Sequence, residues 1–481
     1  MTKIIDIKLI VSQNLMLKQN ALEVWKEEKM RVHMVNPPYC VGEDGLGVLP
    51  AKAMLPNGAL MVASLLRGKG CHVNVTDLVF RQNWKNYLPE HQFDVVLMSC
   101  HTTRNVISCI AVLSELRKRQ GVRSRVVLGG NACLDLGIEQ FSKLGLEVDA
   151  VVRGWSHAPD VIEQVMSGYK GDIWSQEPIQ LTLPAVDLLS EDVQTMYLES
   201  SEGKYPMYAF GIGCLWSCGY CNSYMKSAWT IRPIEDALRE VELARKLGYR
   251  KIWCVDNLLF TDPEVSLHFD SALTAKEMKW SGMTRSELVC KLPEIYFRRF
   301  TSLTEVAMGV ETVSESLLKA LNRGVKKGYR QTLAEAFRRI NKSGRTKTNA
   351  FVILDIPGST EADFWQLYKL LKTVNPGTVS WSFYNPPAKA VLDRTRRPED
   401  MGFYRWPLGY SQERQYRIVQ QAMILSGTWW DKWTPNLVDP FFETETAFGV
   451  NFLEGRIVQE KSARDATGDI WHVWKKGRRK P

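Results

Sequence analysis

Residues 214–221 read CLWSCGYC and carry Cys214, Cys218 and Cys221 at a C-x-x-x-C-x-x-C spacing. Three neighbouring thiolates can hold three corners of a cubic 4Fe–4S cluster, which leaves the fourth iron without a protein ligand. An iron with an open position can bind a substrate or a cofactor, whereas a fully ligated cluster mainly carries electrons. The spacing therefore predicts a catalytic iron–sulfur site in which these cysteines are both the metal ligands and the catalytic residues.

A structural zinc site is the competing interpretation of these cysteines. Zinc sites of that kind have four ligands, commonly arranged as two C-x-x-C-type pairs. The other seven cysteines are single and scattered, and the histidines closest in sequence to Cys221 are the distant His157 and His268. We therefore prefer the iron–sulfur interpretation, which zinc or an absence of metal at these thiols would exclude.

The cysteine run resembles that of the radical SAM superfamily, in which the residue before the last cysteine is usually aromatic, as Tyr220 is here. In that family the open iron binds S-adenosylmethionine (SAM), and the reduced cluster cleaves it to methionine and a 5′-deoxyadenosyl radical. The resemblance implies a 4Fe–4S cluster and SAM as cofactors, with Tyr220 close to them. It also implies an external electron donor such as flavodoxin or ferredoxin.

Length and composition are those of an ordinary soluble protein. The 481 residues are enough for two or three domains, and 45% hydrophobic and 24% charged residues are average values. No apolar run approaches the ~20 residues needed to span a bilayer. Residues 1–30 lack the features of a signal peptide. We expect a cytoplasmic location, where reduced thiols favour metal binding.

The net charge of +9 is concentrated at the C-terminus. Five of the positive charges lie in a basic tail, on Lys475, Lys476, Arg478, Arg479 and Lys480. Such a tail can attract nucleic acid, but charge runs at chain ends are more often solvated. A nucleic-acid partner is therefore left open without being favoured, and the preferred substrate is an organic molecule that the sequence does not identify.

Residues 30–170 alternate strand-like and helix-like segments, which predicts a Rossmann-like, doubly wound parallel sheet. The strand-like runs are Arg31–Val35, His72–Thr76, Asp94–Met98, Val126–Gly129 and Asp149–Val152, and the clearest helices are Gly58–Arg67 and Asn105–Arg117. Ligands bind such sheets at the carboxyl ends of the strands. Glycines in those loops let the backbone approach a flat ligand closely.

These loops, together with the Gly58 helix, resemble the cobalamin-binding domain found ahead of many radical SAM modules. The resemblance implies cobalamin as a further cofactor, and its candidate contacts are Asn36, Pro37, Ser99, Thr102, Gly129, Gly130 and Gly154. None of the seven histidines has an aspartate two positions before it, so a D-x-H-x-x-G ligand to cobalt is not expected. A domain of the same fold that binds nothing remains the alternative.

Three other cysteines support a rival interpretation of this domain. Cys40, Cys100 and Cys133 each follow a strand-like run on the expected ligand edge. They are placed to hold a second iron–sulfur cluster, as in the methylthiotransferases that modify transfer RNA. Buried cysteines that behave as small hydrophobic residues are the simpler explanation. About four irons per chain would indicate one cubane cluster and about eight would indicate two.

A second alternating pattern over residues 206–390 predicts a partial (β/α)6 barrel of the TIM type. Its strand-like runs are Tyr208–Gly211, Lys251–Val255, Thr304–Val310, Thr348–Leu354 and Thr378–Phe383, and its helices include Ile234–Leu247, Glu315–Leu321 and Lys327–Lys342. The cysteine run directly follows the first of these strands. It should therefore lie at the carboxyl-end mouth, where barrels carry their chemistry.

Later strand ends of the barrel supply candidate SAM contacts. They are Asp256, Gly309, Glu311, Pro357 and Gly358. The resemblance assigns Glu311 and the Pro357–Gly358 turn to SAM. Arg285 is a candidate partner for the SAM carboxylate, because a guanidinium binds a carboxylate through two parallel hydrogen bonds. A surface ion pair is the alternative role of Arg285.

The rest of the chain is less informative. Residues 1–29 are expected to be an extension and residues 171–205 a linker, and residues 391–481 a mainly helical C-terminal region that includes a helix at Ser411–Leu425 and the basic tail. No cysteine follows Cys290, so the additional C-terminal clusters of peptide-modifying relatives are not expected.

Taken with these resemblances, the sequence predicts a cobalamin-dependent radical SAM enzyme, with a methyltransferase acting on an unactivated carbon as the preferred activity. A cobalamin-dependent oxidative cyclase or rearrangement enzyme is an alternative of the same class. A methylthiotransferase that modifies transfer RNA without cobalamin is the second class. A degenerate barrel acting as a binding module is the third, and the intact cysteine run argues against it.

Overall fold

The computed structural model describes residues 29–41, 45–50, 52–101, 105–120, 124–154, 156–175, 181–221, 228–325, 327–384, 450–451 and 456–457. Most of the expected N-terminal extension and almost all of the expected C-terminal region, including the Ser411–Leu425 helix and the basic tail, lie outside these residues. No helix in the described part of the chain is long and apolar enough to cross a bilayer.

The strands, in chain order, are β1 (Arg31–Asn36), β2 (Cys40–Val41), β3 (Gly47–Val48), β4 (His72–Asp77), β5 (Val95–Ser99), β6 (Arg125–Gly129), β7 (Ala150–Val152), β8 (Gly171–Ile173), β9 (Lys204–Met207), β10 (Gly211–Cys214), β11 (Ala228–Ile231), β12 (Lys251–Cys254), β13 (Lys279–Thr284), β14 (Leu303–Glu311), β15 (Lys347–Leu354), β16 (Thr378–Phe383), β17 (Val450–Asn451) and β18 (Arg456–Ile457). 

The α-helices are α1 (Asn57–Gly68), α2 (Asn105–Gln120), α3 (Ala132–Asp135), α4 (Ile138–Lys143), α5 (Pro159–Met166), α6 (Glu191–Ser200), α7 (Ile234–Lys246), α8 (Pro263–Ala275), α9 (Ser286–Lys291), α10 (Glu315–Ala320), α11 (Tyr329–Asn341) and α12 (Glu361–Val374). Short 3-10 helices occupy Trp84–Tyr87, Val186–Leu188 and Glu294–Arg298.

The first sheet is parallel and has the strand order β4-β1-β5-β6-β7-β8. Successive residues of a strand point to opposite faces, so Val95 and Leu97 pack with α1 and α5, whereas Val96 and Met98 pack with α2 and α4. Both faces are thus covered by helices, and the predicted doubly wound fold is confirmed. The chain passes from β1 to β4 at one edge and then returns to β5 on the other side of β1. Sheets of this kind bind ligands at the point where the strand order reverses.

The described residues of the expected linker, 171–175 and 181–205, are closely tied to both sheets. Strand β8 is the edge of the first sheet, and β9 begins the second sheet at Lys204. Helix α6 lies between them and buries Tyr197 in the core of the second domain. The segment therefore fixes one domain against the other.

The second sheet is also parallel, with the order β16-β15-β14-β13-β12-β9. Six strands with helices between them confirm the predicted partial barrel. Its first strand is β9, earlier than the predicted Tyr208–Gly211. The predicted segment instead leads into β10, which pairs antiparallel with β11.

Strand β13 was not among the predicted runs, because Ser281 and Gly282 interrupt its apolar pattern. The glycine is required there by close packing. A Cβ atom at Gly282 would lie 2.9 Å from the Cβ of Cys254 and 3.0 Å from its carbonyl oxygen in β12. Sequence periodicity does not reveal that constraint, since it comes from the neighbouring strand.

Candidate active site

The cysteine run lies in the loop of the β10–β11 hairpin, at the carboxyl end of the first barrel strand. Cys214 is the last residue of β10, and Cys218 is buried, whereas Cys214 and Cys221 are partly exposed. Residues 222–227 of the loop are outside the described residues. The three predicted ligands are therefore together at the mouth of the barrel, on a loop whose ends are held by the hairpin.

Asp256 anchors the start of this hairpin. Its carboxylate accepts hydrogen bonds from the backbone N–H groups of Ala209 (2.8 Å), Phe210 (2.8 Å) and Gly211 (2.7 Å). Burial raises the pKa of Asp256 to about 6, although the three N–H donors oppose the rise. Both oxygens are thus occupied by the segment that leads to Cys214, and a direct contact of Asp256 with SAM remains a prediction.

A buried ion pair anchors the other end of the hairpin. Arg232, directly after β11, lies with its Nη1 2.8 Å from Oε2 of Glu240 in α7, and their side chains are 2% and 0% exposed. The Arg232 N–H also donates to the Phe210 carbonyl at 2.9 Å. No motif signals this pair, because the two residues are ordinary members of a helix and of a strand end.

The turn after α10 is hydrogen-bonded to the middle of the cysteine loop. The Gly219 N–H donates to the Leu321 carbonyl at 2.8 Å, and Asn322 Nδ2 donates to the Ser217 carbonyl at 3.0 Å. Asn322 adopts φ 47°, a left-handed conformation that asparagine tolerates. The sequence analysis missed this turn, which is more than 100 residues away from the loop in the chain.

Arg285 is buried and contacts the cysteine loop directly. Its Nη1 donates to Sγ of Cys218 at 3.3 Å, and its Nη2 lies 2.7 Å from Oε1 of Glu287. The guanidinium carbon is 4.3 Å from the centre of the Trp216 ring. With Arg285 only 5% exposed, the alternative of a surface ion pair is wrong, while pairing with the SAM carboxylate remains a prediction.

Glu311 and Tyr220 meet beside the same loop. The Tyr220 hydroxyl donates to Oε1 of Glu311 at 2.9 Å, and burial raises the pKa of Glu311. The pairing of β14 with β15 is irregular at this point, and Glu311 has φ 57°. A Cβ at Gly309 would lie 2.4 Å from Glu311 Oε1, so a larger residue there would displace the carboxylate from this position.

The Pro357–Gly358 turn lies at the same edge of the sheet, just after β15. Both residues are exposed, and Gly358 has φ 84°, which a turn glycine adopts without strain. The structure thus places the turn at the mouth of the barrel with Glu311, and its contact with SAM stays a prediction.

The charges around Cys218 fit an anionic group. Arg323 is 2% exposed, its Nη2 donates to the Gly309 carbonyl at 2.6 Å, and its buried Nε has no hydrogen-bond partner among the described residues. Burial raises the pKa of Cys214, and the charges of Arg285 and Arg323 oppose that rise. Within the described residues, no three His, Cys, Asp or Glu side chains are grouped for a single metal ion. The donor set, three thiols on one loop with the guanidinium groups of Arg285 and Arg323 near Cys214 and Cys218, suits a cluster of thiolate ligands.

The predicted cobalamin loops meet at the carboxyl edge of the first sheet. Gly130 has φ 109°, and a Cβ there would lie 2.6 Å from the Cys100 carbonyl. The Gly129 carbonyl accepts from the Cys100 N–H at 2.6 Å, and a Cβ at Gly129 would lie 3.0 Å from Ser156 Oγ. The two loops therefore form a tight backbone layer at Gly129 and Gly130, of the kind a flat ligand can approach. Ser99 and Gly154 lie at the same edge, partly buried, and Thr102 lies outside the described residues.

Asn36 has a partner that the sequence did not suggest. Its Nδ2 donates to Oδ2 of Asp77 at 2.8 Å, and the Tyr197 hydroxyl donates to the same oxygen at 2.8 Å. Burial raises the pKa of Asp77. This network ties the ends of β1 and β4 to helix α6. Pro37 is buried next to it, so contacts of these two residues with cobalamin remain predictions.

Two of the three cysteines of the rival interpretation, Cys100 and Cys133, pack in the core of the first domain. Both are 0% exposed, as is the neighbouring Cys109. Burial raises the pKa of Cys109 and of Cys133 well above the ordinary thiol value. These are the properties of core thiols, and the side chain of Cys40 lies outside the described residues.

Two protein-family descriptions match the chain, in the order of its two sheets. The B12 binding domain matches residues 48–162, and the radical SAM superfamily matches residues 208–371.

Solved structures of the radical SAM methyltransferase TsrM from Kitasatospora setae have a similar fold. One, with cobalamin and a [4Fe-4S] cluster bound, has a TM-score of 0.62 and 12% identity and covers 86% of this chain and 92% of that one. Another, with tryptophan substrate and the SAM analogue aza-SAM, has a TM-score of 0.63 and 14% identity and covers 94% and 100%. At these identities the likeness concerns the fold.

Curated relatives include two kinds of methylthiotransferase. The ribosomal protein uS12 methylthiotransferase RimO of Chlorobium phaeobacteroides is 22% identical over 54% of this chain, and the match spans only 56% of RimO. The tRNA-2-methylthio-N(6)-dimethylallyladenosine synthase of Thermotoga petrophila is 21% identical over 84% of this chain and 96% of its own length.

Proposed function

We propose that this chain is a cobalamin-dependent radical SAM methyltransferase, because its first domain matches the B12 binding domain and its barrel matches the radical SAM superfamily. The proposed substrate is an organic molecule methylated at an unactivated carbon. When bound, the cluster and SAM would supply radical removal of a substrate hydrogen, and cobalamin would supply the methyl group. An external one-electron donor such as flavodoxin or ferredoxin would reduce the cluster.

One observation carries the proposal: the carboxyl edge of the first sheet is joined to the barrel by buried contacts. Asn57, the first residue of α1, donates from Nδ2 to the carbonyl of Pro206 in β9 and lies 3.5 Å from Oε1 of Glu240. Leu55 and Leu60 are part of the barrel core. A ligand at that edge would therefore be held at a fixed position relative to the barrel. Transfer between two cofactors needs such a fixed geometry.

The residues of the chain have distinct roles in this proposal. Cys214, Cys218 and Cys221 would hold the cluster, and the Glu311–Tyr220 pair would border the SAM site. The backbone layer at Gly129 and Gly130 would support cobalamin. Asp256 and the Arg232–Glu240 pair would keep the cysteine loop in place from either end of its hairpin.

Methylthio transfer to RNA or to a ribosomal protein is the second candidate, and the names of the curated relatives favour it. It requires a second cluster, for which Cys100 and Cys133 would have to leave the core in which they are buried. Oxidative cyclisation or rearrangement with the same cofactors has no separate observation in its favour.

Metal and corrinoid content of one sample tests the proposal. The protein would be purified without oxygen, supplied with iron, sulfide and hydroxocobalamin, and then desalted. We expect about four irons and one corrinoid per chain, with a corrinoid band in the visible spectrum. About eight irons without corrinoid would replace methyl transfer by methylthio transfer, and zinc or no metal would exclude both.

A further inference from the structure

Arg285 is held at a fixed distance from a cluster ligand by groups from three parts of the barrel. Nη1 donates to Cys218 Sγ at 3.3 Å, and Nη2 donates to the Arg323 carbonyl at 3.0 Å as well as to Glu287 at 2.7 Å. One face of the guanidinium lies over Trp216. A planar guanidinium that is stacked and hydrogen-bonded on two sides has little freedom to turn toward another ligand.

Glu287 reduces the net charge that Arg285 brings to the surroundings of Cys218. Its carboxylate lies against the guanidinium, so the pair has little net charge, and it is 23% exposed beside an Arg285 side chain that is 6% exposed. With the charge largely neutralised, the main effect of Arg285 on Cys218 is the hydrogen bond that its Nη1 donates to the sulfur. Hydrogen bonds to the ligating sulfurs are one of the means by which proteins set the reduction potential of an iron–sulfur cluster.

We propose that Arg285 is a positioning residue that raises the reduction potential of the cluster on Cys214, Cys218 and Cys221 by hydrogen-bonding the Cys218 sulfur, and that it is not the partner of the SAM carboxylate. The inference rests on the proposed function only in needing the cluster. The redox step is a one-electron reduction by an external donor of the flavodoxin or ferredoxin class. The added negative charge spreads onto the ligating sulfurs, and an N–H donor stabilises it.

The test compares Arg285→Met, Arg285→Lys and a matched control in the reconstituted full-length protein. Arg299→Met is the control, because Arg299 forms an exposed ion pair with Glu264. Iron content is measured first, and then the midpoint potential in a titration followed by electron paramagnetic resonance, without SAM. For Arg285→Met we expect a roughly tenfold less favourable reduction, a downward shift of about 59 mV for one electron. Arg285→Lys should shift less, and Arg299→Met should match the wild type.

Glu287→Gln gives a second test with the opposite sign. It leaves Arg285 in place but removes the neighbouring negative charge, so the midpoint potential should rise. This variant decides the matter if Arg285→Met loses iron, because it does not remove any contact to sulfur.

The outcomes distinguish a failure of the proposed function from a failure of the role proposed for Arg285. A wild type that binds no iron overturns the proposed function. A wild type with a normal cluster whose potential is the same in Arg285→Met and Glu287→Gln overturns only the role of Arg285. Weakened SAM binding in Arg285→Met at an unchanged potential would also overturn it and would restore the SAM carboxylate as the partner of Arg285.

Discussion

Glu240 and Arg232 form a fully buried ion pair that joins the first domain to the hairpin of the cysteine loop. The 2.8 Å contact stands at the end of the hairpin, and the other carboxylate oxygen of Glu240 lies 3.5 Å from Asn57 at the start of α1. Any displacement of α1 against the barrel would disturb the same buried charges that hold the loop. A displacement of the first domain would therefore also displace the cysteine loop.

Removing one partner of this pair should be strongly destabilising. Glu240→Ala leaves Arg232 charged and buried without its carboxylate, a change that typically costs about 3–5 kcal/mol. The measurement is the free energy of unfolding in guanidinium chloride. The matched control is Glu242→Ala on the same helix, whose carboxylate pairs at the surface with Arg245 and Lys276. Equal losses in the two variants would contradict the structural role of the buried pair.

Asp256 should produce a fall in stability as the pH rises from about 4 to about 6. Its pKa in the folded chain is raised from 3.8 to about 6. The folded state therefore binds more protons than the unfolded state in that window, and stability decreases with increasing pH across it. Asp256→Asn removes this titration. The free energy of unfolding of the variant, relative to that of the wild type, should therefore increase as the pH rises from about 4 to about 6. A difference that is constant from pH 4 to pH 7 would show that Asp256 is ordinary in the folded state.

Cys218→Ala should abolish both cluster binding and SAM cleavage. The substitution removes one of the three thiolates and leaves the remaining two unable to hold the cubane. Iron content and the amount of 5′-deoxyadenosine formed with a chemical reductant are the measurements. Cys290→Ala is the control, a partly buried thiol that hydrogen-bonds the Thr332 carbonyl on the outer helices. Deoxyadenosine at the wild-type level in Cys218→Ala would mean that the cluster is assigned to the wrong residues.

Gly130→Ala should weaken corrinoid binding about tenfold or more. A methyl group there would collide with the Cys100 carbonyl at 2.6 Å and push apart the two loops that form the backbone layer. Gly145→Ala is a close control in the same domain, since Gly145 also has a positive φ (80°) but no atom within 4 Å of its added Cβ. Both variants should lose about 1 kcal/mol of stability from backbone strain. Only Gly130→Ala should lose hydroxocobalamin in equilibrium dialysis, and equal affinity in the two variants would argue against a corrinoid at this edge.

Much of the fold could be predicted from the local pattern of apolar and polar residues. Apolar runs predicted five of the six strands of the first sheet. The predicted run Tyr208–Gly211 placed the cysteines at the mouth of the barrel, as observed. Where the pattern is weak, prediction failed: β13 carries serine and glycine, and the first barrel strand was placed at Tyr208–Gly211 instead of Lys204–Met207.

The sequence by itself determined the order of the two domains, the three cysteines and their spacing, because periodicity and short motifs depend on neighbours along the chain. Only the tertiary structure decided which side chains support them. Arg285 approaches Cys218 from 67 residues away, and Asn57 approaches Glu240 from 183 residues away. Buried charges and amides need partners once water is excluded, and in this fold strands distant in sequence supply them.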